Sequence, residues 1–175
     1  MSAAFIGSQE VKTGMAIDYK NPREVGADRI ANAVAAREFS GAPVIVLDCG
    51  TATTFDIVSS QGHYAGGLII PGMEVSLEAL SQRAAKLPEV SIIRTDFLIG
   101  RDTVSSMQAG VYWSSVEGIR GLIRQLKEIG DYSDAPIIAT GGLSGYLLKD
   151  VPEITAHRPF LTLEGLRLLA EAHFA

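Results

Sequence analysis

The chain has 175 residues, with 20 acidic and 15 basic side chains and a formal net charge of −5. That length suits one domain with a sizeable core, and 47% hydrophobic against 20% charged residues excludes a disordered chain. The acidic balance argues against a dedicated nucleic-acid binder, and the single cysteine, Cys49, excludes an intrachain disulfide or a Cys-rich zinc site.

Met1 to Glu10 lacks a basic segment followed by an apolar run, so no signal peptide is expected. No apolar stretch reaches the roughly 18 residues of a membrane span, and a reducing, cytoplasmic setting is expected. Val11–Asp18 reads as a short, mostly apolar strand ending in Tyr19. Asn21-Pro22 then opens a helix, with Asn as N-cap, Pro at the first helical position and Glu24 where a capping-box acid sits. Val25, Ile30 and Val34 give it an apolar face through Phe39, and Ser40-Gly41-Ala42-Pro43 stops it.

Three strands follow with short links: Val44–Asp48, Thr53–Ser59 and Tyr64–Ile70. The links Cys49–Ala52 and Ser60–His63 read as hairpin turns, so the stretch is an antiparallel meander. Met73–Ala85 is a helix and residues 86–102 are irregular. A long helix spans about Thr103 to Ile129, with Val104, Met107, Val111, Val116, Ile119, Ile123 and Leu126 on its apolar face. Pro136–Thr140 is a buried strand that turns through Gly141–Gly145 into a short helix. Thr162–Phe174 is a last helix, with Leu163, Leu166, Leu169 and Ala170 on one face.

Four segments can carry chemistry. In Asp48-Cys49-Gly50-Thr51-Ala52-Thr53-Thr54-Phe55-Asp56 an acid ends a buried strand and a Gly turn follows. Such a turn's N–H groups and the Thr51 hydroxyl can bind phosphate, with Asp48 holding a cation nearby; equally, Asp48 can simply cap a hairpin. In Gly26-Ala27-Asp28-Arg29-Ile30-Ala31-Asn32, Asp28 can be a helix-dipole partner or a general base, and Asn32, four residues on, can face the same cleft. Gly100-Arg101-Asp102-Thr103 can be a plain N-cap or a seat for an acidic substrate. Thr140-Gly141-Gly142-Leu143 is either a connection or a turn against which adenosine lies. Walker A, HExxH, GxGxxG and G-x-S-x-G patterns are absent, and His63, His157 and His173 lack metal-ligand spacing. Cys49 reads as a small packing residue, and Tyr112 and Trp113 as core or interface.

The element order, joined to the turn after Asp48, matches a ribonuclease-H-like fold: an α/β lobe with a mixed sheet, a β-meander and flanking helices, shared by actin-like ATPases and sugar kinases. The ordered set Tyr19–Pro22, Gly26–Arg29, Asp48–Asp56, Gly66–Gly72, Gly100–Thr103 and Thr140–Leu143 resembles type III pantothenate kinases. The resemblance implies ATP-dependent phosphorylation of pantothenate, the first step of coenzyme A biosynthesis. It makes Asp28 the proton acceptor, and Gly26, Ala27, Asp28 and Arg29 the pantothenate loop, with Arg29 pairing the substrate carboxylate. Tyr19 and Thr103 become further pantothenate contacts. Gly50, Thr51, Gly141 and Gly142 become ATP contacts, and Asp48 the ligand of a monovalent cation, potassium or ammonium.

The family's first lobe carries D-x-G-N-T, which holds phosphates and a divalent metal; no D-x-G-N occurs in these 175 residues. Residues 1–20 then read as an inter-lobe segment and strand, and 21–175 as the acceptor-binding second lobe. Mg²⁺ is expected mainly from the first lobe. The expected partners are a homodimer through the 103–129 helix or a chain supplying that lobe, with no nucleic acid and no membrane. A truncated kinase, a split-kinase subunit and a non-catalytic relative that binds a ligand or protein without turnover are the three explanations; retention of Asp28, Arg29, Asp48, Thr51 and Thr103 favours the first two.

Overall fold

The computed structural model describes residues 13–174. The first ten residues, and the start of the strand expected from Val11, lie outside them. Within the described part that strand is reduced to one bridge, Ile17 to Tyr64, in which Asp18 N–H donates to the Tyr64 carbonyl at 2.9 Å.

The elements are α1 (Ala27–Ser40), β1 (Val44–Cys49), β2 (Ala52–Val58), β3 (Tyr64–Pro71), α2 (Met73–Arg83), α3 (Thr103–Glu128), β4 (Ile137–Thr140), β5 (Ala156–His157) and α4 (Leu161–Phe174). They form one five-stranded sheet in the order β3-β2-β1-β4-β5. β2 runs antiparallel to both neighbours, while β4 runs parallel to β1 and β5 parallel to β4. This mixed α/β arrangement is the ribonuclease-H-like fold the sequence implied. The two-residue β5 is too short to leave a periodic signal, and sequence reading missed it.

Val44, Ile45, Val46 and Leu47 of β1 are wholly buried, because helices cover both faces of the sheet. Each contributes roughly 1.5–3 kcal/mol through burial. Ile45, Leu47, Phe55 and Ile57 pack with Met73, Leu77 and the inner face of α3. Val44, Val46, Val58, Tyr64 and Ile138 pack with α1 and the inner side of α4. α1 and α3 therefore lie on opposite faces of the sheet.

Three boundaries differ from the sequence reading. Asn21 does cap a turn, its side chain accepting from Arg23 N–H, but Pro22–Glu24 is a single 3₁₀ turn. The helix proper starts at Ala27 because Gly26 is extended (ψ 144°). The short helix after Gly145 is one 3₁₀ turn, Ser144–Tyr146. On α4 the buried residues are Leu161, Gly165 and Leu169, whereas Leu163 is 62% exposed. The reason is a glycine: a Cβ on Gly165 would run into the Ala31 carbonyl oxygen, so the α4 face nearest α1 is the one that Gly165 flattens.

α3 opens with a capping box: Ser105 N–H donates to the Asp102 carboxylate, and Asp102 N–H donates to the Ser105 hydroxyl oxygen. Met107, Val111, Val116, Ile119 and Ile123 are consumed by the chain's own core. Val104 is 40% exposed, and Gly110, Ser114 and Gly118 also face outward. The apolar face of α3 is thus largely spent within the lobe; outward, its first half carries small residues and its second half Glu117, Arg124, Gln125 and Glu128. Substituting Gly165→Ala should separate α4 from α1 and cost about 1–3 kcal/mol or more. A fall in the urea midpoint is the expected result; an unchanged midpoint would contradict this helix crossing.

Candidate active site

In an open sheet with parallel strands, ligands bind beyond the strands' carboxyl ends. Here β1 ends on Asp48, β4 on the Thr140-Gly141-Gly142 turn, and α1 and α4 begin at that same end. Asp28, in the first turn of α1, is exposed, and its Oδ1 accepts from the Arg29 N–H at 2.9 Å. Gly26 makes room for it: a Cβ there would stand 2.6 Å from Asp28 Oδ1. Four residues on, Asn32 is fully buried, and its Nδ2 donates to Asp48 Oδ2 at 2.8 Å. Burial raises the Asp48 carboxyl above its usual range; the Asn32 hydrogen bond opposes this, and the Asp28 charge adds to it. The carboxylates of Asp28 and Asp48 thus share one end of the sheet, with Asn32 between them and buried.

Gly141, at φ +88°, closes against Asp48; a Cβ would meet Asp48 Oδ1 and come within 2.6 Å of the Cys49 carbonyl. Only glycine fits there. Gly142 is exposed, with open space where its side chain would be. In the β1–β2 turn, the Gly50 N–H is already donated to Ala52 O at 3.0 Å, so that donor is spent inside the turn rather than offered outward. Thr51 remains exposed, and its carbonyl accepts from Gly72 N–H. Cys49 is buried and its thiol is pushed up to about 12 by burial, which makes it the inert packing residue expected.

Arg29 holds a second cluster over β2 and β3. Its Nε donates to Asp56 Oδ1 at 2.6 Å, and the Tyr64 hydroxyl donates to the same oxygen at 2.8 Å. The Thr54 hydroxyl donates to Asp56 Oδ2 at 3.3 Å. Asp56 is completely buried; burial pushes its carboxyl up against the opposing Arg29 charge and these hydrogen bonds. Burial, and next to it the Asp56 charge, also raise the Tyr64 phenol, which keeps it a donor. Gly67 leaves space for the guanidinium, since a Cβ would lie 2.5 Å from Arg29 Nη2. Tyr19 sits beside this cluster, its ring 6.4 Å from that of Tyr64 and its edge over Gly66. Asp56, Tyr64 and Gly67 were visible only as motif letters, because pairing across 27 residues leaves no local pattern.

Tyr19, Gly26, Ala27, Asp28, Arg29 and Asp48 therefore gather on the α1 side and at the strand ends, with the Gly50-Thr51 and Gly141-Gly142 turns adjoining. Thr103 does not join them. It starts α3 on the other face of the sheet, where Leu87, Gly100, Arg101 and Ser106 line a groove around it. α3 is about 39 Å long at 1.5 Å per residue, longer than the strands it covers. Among the described residues no group of three His, Cys, Asp or Glu side chains could hold a metal ion, and no helix is long and apolar enough to cross a membrane.

Residues 1–125 match the family model for type III pantothenate kinase. A Geobacter sulfurreducens protein named type III pantothenate kinase is 52% identical over 162 residues, covering 92% of this chain and 63% of that protein. A Moorella thermoacetica protein of the same name is 50% identical over the same coverage. The chain thus spans somewhat under two thirds of the length of these relatives. A solved Campylobacter jejuni protein, described as a Baf family transcriptional activator, superimposes with a TM-score of 0.62 at 22% identity, over 90% of this chain and 68% of that one; this likeness concerns the fold alone. From the match of its first 125 residues, the chain belongs to the type III pantothenate kinase family.

Proposed function

We propose that this chain is the acceptor-binding lobe of a pantothenate kinase, acting with a first lobe that carries D-x-G-N-T. The observation that carries the reading is the meeting of Asp28, Asn32-bound Asp48 and the Gly141 turn at one end of the sheet. ATP lies along the turns at Gly50-Thr51 and Gly141-Gly142, and pantothenate lies over Gly26–Arg29 and Tyr19. Asp28 accepts the proton of the primary hydroxyl as its oxygen attacks the γ-phosphorus and the bond to the ADP oxygen breaks. The products are 4'-phosphopantothenate, ADP and protonated Asp28. Phosphoryl transfer asks for positioning and charge stabilisation more than covalent chemistry, and these residue types suit it.

A monovalent cation suits Asp48 better than a divalent one. One carboxylate and nearby backbone carbonyls are a weak, all-oxygen donor set that suits a singly charged ion. Asp48 would hold such a cation, which would supply positive charge beside the ATP phosphates. We assign the divalent metal mainly to the first lobe, as the family resemblance implies. Arg29 has its Nε edge committed to Asp56. Its Nη2 also donates to the Phe55 carbonyl at 3.4 Å, so it meets the pantothenate carboxylate through Nη1, as a charge held in place rather than a free fork. Thr103 lies on the far face of the sheet, out of reach of the pantothenate loop within one copy, so as an acceptor contact it comes from a second copy. We place the assembly in the cytoplasm.

In the assembly of this chain with a first lobe, Asp28→Asn should lower kcat about 10²–10⁴-fold while the melting temperature stays within a few degrees, measured as pantothenate-dependent ADP release. Turnover at the wild-type rate would remove Asp28 from the role of base. Asp56→Asn should cost about 3 kcal/mol of stability, because Arg29 loses its buried counter-charge. In the same variant the KM for pantothenate should rise about tenfold with kcat changed much less, the signature of lost uniform binding. An unaltered KM would separate Arg29 from the acceptor carboxylate.

A further inference from the structure

Asp48 is tied into a hydrogen-bond chain that reaches α4, and the proposed reaction leaves that chain without a role. Asn32 is fully buried, and both ends of its carboxamide are used. Nδ2 donates to Asp48 Oδ2 at 2.8 Å, and Oδ1 accepts from the Thr162 hydroxyl at 2.7 Å. An asparagine can turn either end toward a neighbour, and its oxygen would repel a carboxylate. The Asp48 carboxylate, which only accepts, sets that choice by taking Nδ2, and the Thr162 hydroxyl donates to the Oδ1 left over, anchoring the far end of the carboxamide. The two residues are 130 positions apart in the chain. They meet because Gly165, one turn further along α4, lets that helix press on the backbone of Ala31, the residue before Asn32. With Oδ2 tied back to α1, the other oxygen of Asp48, Oδ1, lies against Gly141, where any side chain would collide with it.

We propose that Thr162 and Asn32 are positioning residues that hold the Asp48 carboxylate in one orientation, Oδ2 drawn to α1 and Oδ1 presented to the Gly141 turn. This rests on the reading above only in naming a monovalent cation as what Oδ1 receives. Burying an asparagine between a helix N-terminal hydroxyl and a half-buried carboxylate carries a desolvation cost, which a hydrogen bond at each end offsets. The arrangement fixes the carboxylate before any ligand arrives, so binding does not have to order it.

The test uses the 175-residue chain and two readouts. The first is solvent exchange of the Asn32 side-chain amide protons by NMR. The second is the KCl midpoint for thermal stabilisation, with tetramethylammonium chloride as the ionic-strength control. Thr162→Val keeps the shape and removes the hydroxyl; the Asn32 amide should exchange about tenfold faster and the K⁺ midpoint should rise about tenfold. Thr162→Ser should restore both. Asn32→Ala should abolish the K⁺ response, but it leaves a cavity and can unfold the chain, so Thr162→Val decides. Amide exchange unchanged in Thr162→Val, or a loss that Thr162→Ser does not restore, overturns the proposal. A wild-type chain that ignores K⁺ while its Asn32 amide still depends on Thr162 sustains the positioning role and removes the cation from Asp48.

Discussion

The ion pair between Arg29 and Asp56 is the interaction around which the acceptor side of this lobe is organised. Asp56 is fully buried in the middle of β2, where an unpaired carboxylate would be strongly unfavourable. Its charge is met at 2.6 Å by Arg29, and its remaining hydrogen-bonding capacity by Tyr64 and Thr54. Arg29 is the third residue of α1, so satisfying Asp56 fixes where that helix begins. Once α1 is pinned over β2 and β3, Asp28 stands at its exposed first turn and Asn32 one turn deeper, against the end of β1. A buried pair of this kind adds little net stability over an apolar replacement, but it imposes one register.

Glycines allow the remaining approaches. Gly67 admits the guanidinium across β3, Gly141 admits the β4 turn against Asp48, and Gly165 admits α4 against α1. Each is a place where a single methyl group would push backbone from backbone or displace a charged side chain. The site is therefore assembled by close contacts between elements, and its polar side chains are oriented by other protein groups before any substrate binds. That is the condition for phosphoryl transfer by positioning.

Much of this was legible in the chain. The meander, α2, α3, β4 and the irregular 86–102 segment follow from local periodicity and turn chemistry, and the structure keeps them within a few residues. The motif residues Asp28, Asp48 and Gly141 do converge. The start of α1 was misplaced because the N-cap signal at Asn21 is real but belongs to a single 3₁₀ turn, and an extended Gly26 resets the helix. The apolar stripe on α4 was only partly right: Leu169 is buried as expected, but Leu163 and Leu166 outweigh a glycine in any hydrophobic pattern, while packing selects the glycine. The free donors expected of the Gly50 turn proved partly spent within it.

The sequence by itself determined the class of fold, the family, and the residue types gathered at the strand ends, because local propensity and ordered motifs are written in neighbouring residues. Only the tertiary structure decided which groups touch. Arg29 meets Asp56 across 27 residues and Thr162 meets Asn32 across 130, and Thr103 falls on the face of the sheet opposite Asp28. Those outcomes depend on the crossing of α1 and α4 and on which face of a doubly covered sheet each helix takes. Both are set by packing and by the need to satisfy buried charge, and neither has a local signature along the chain.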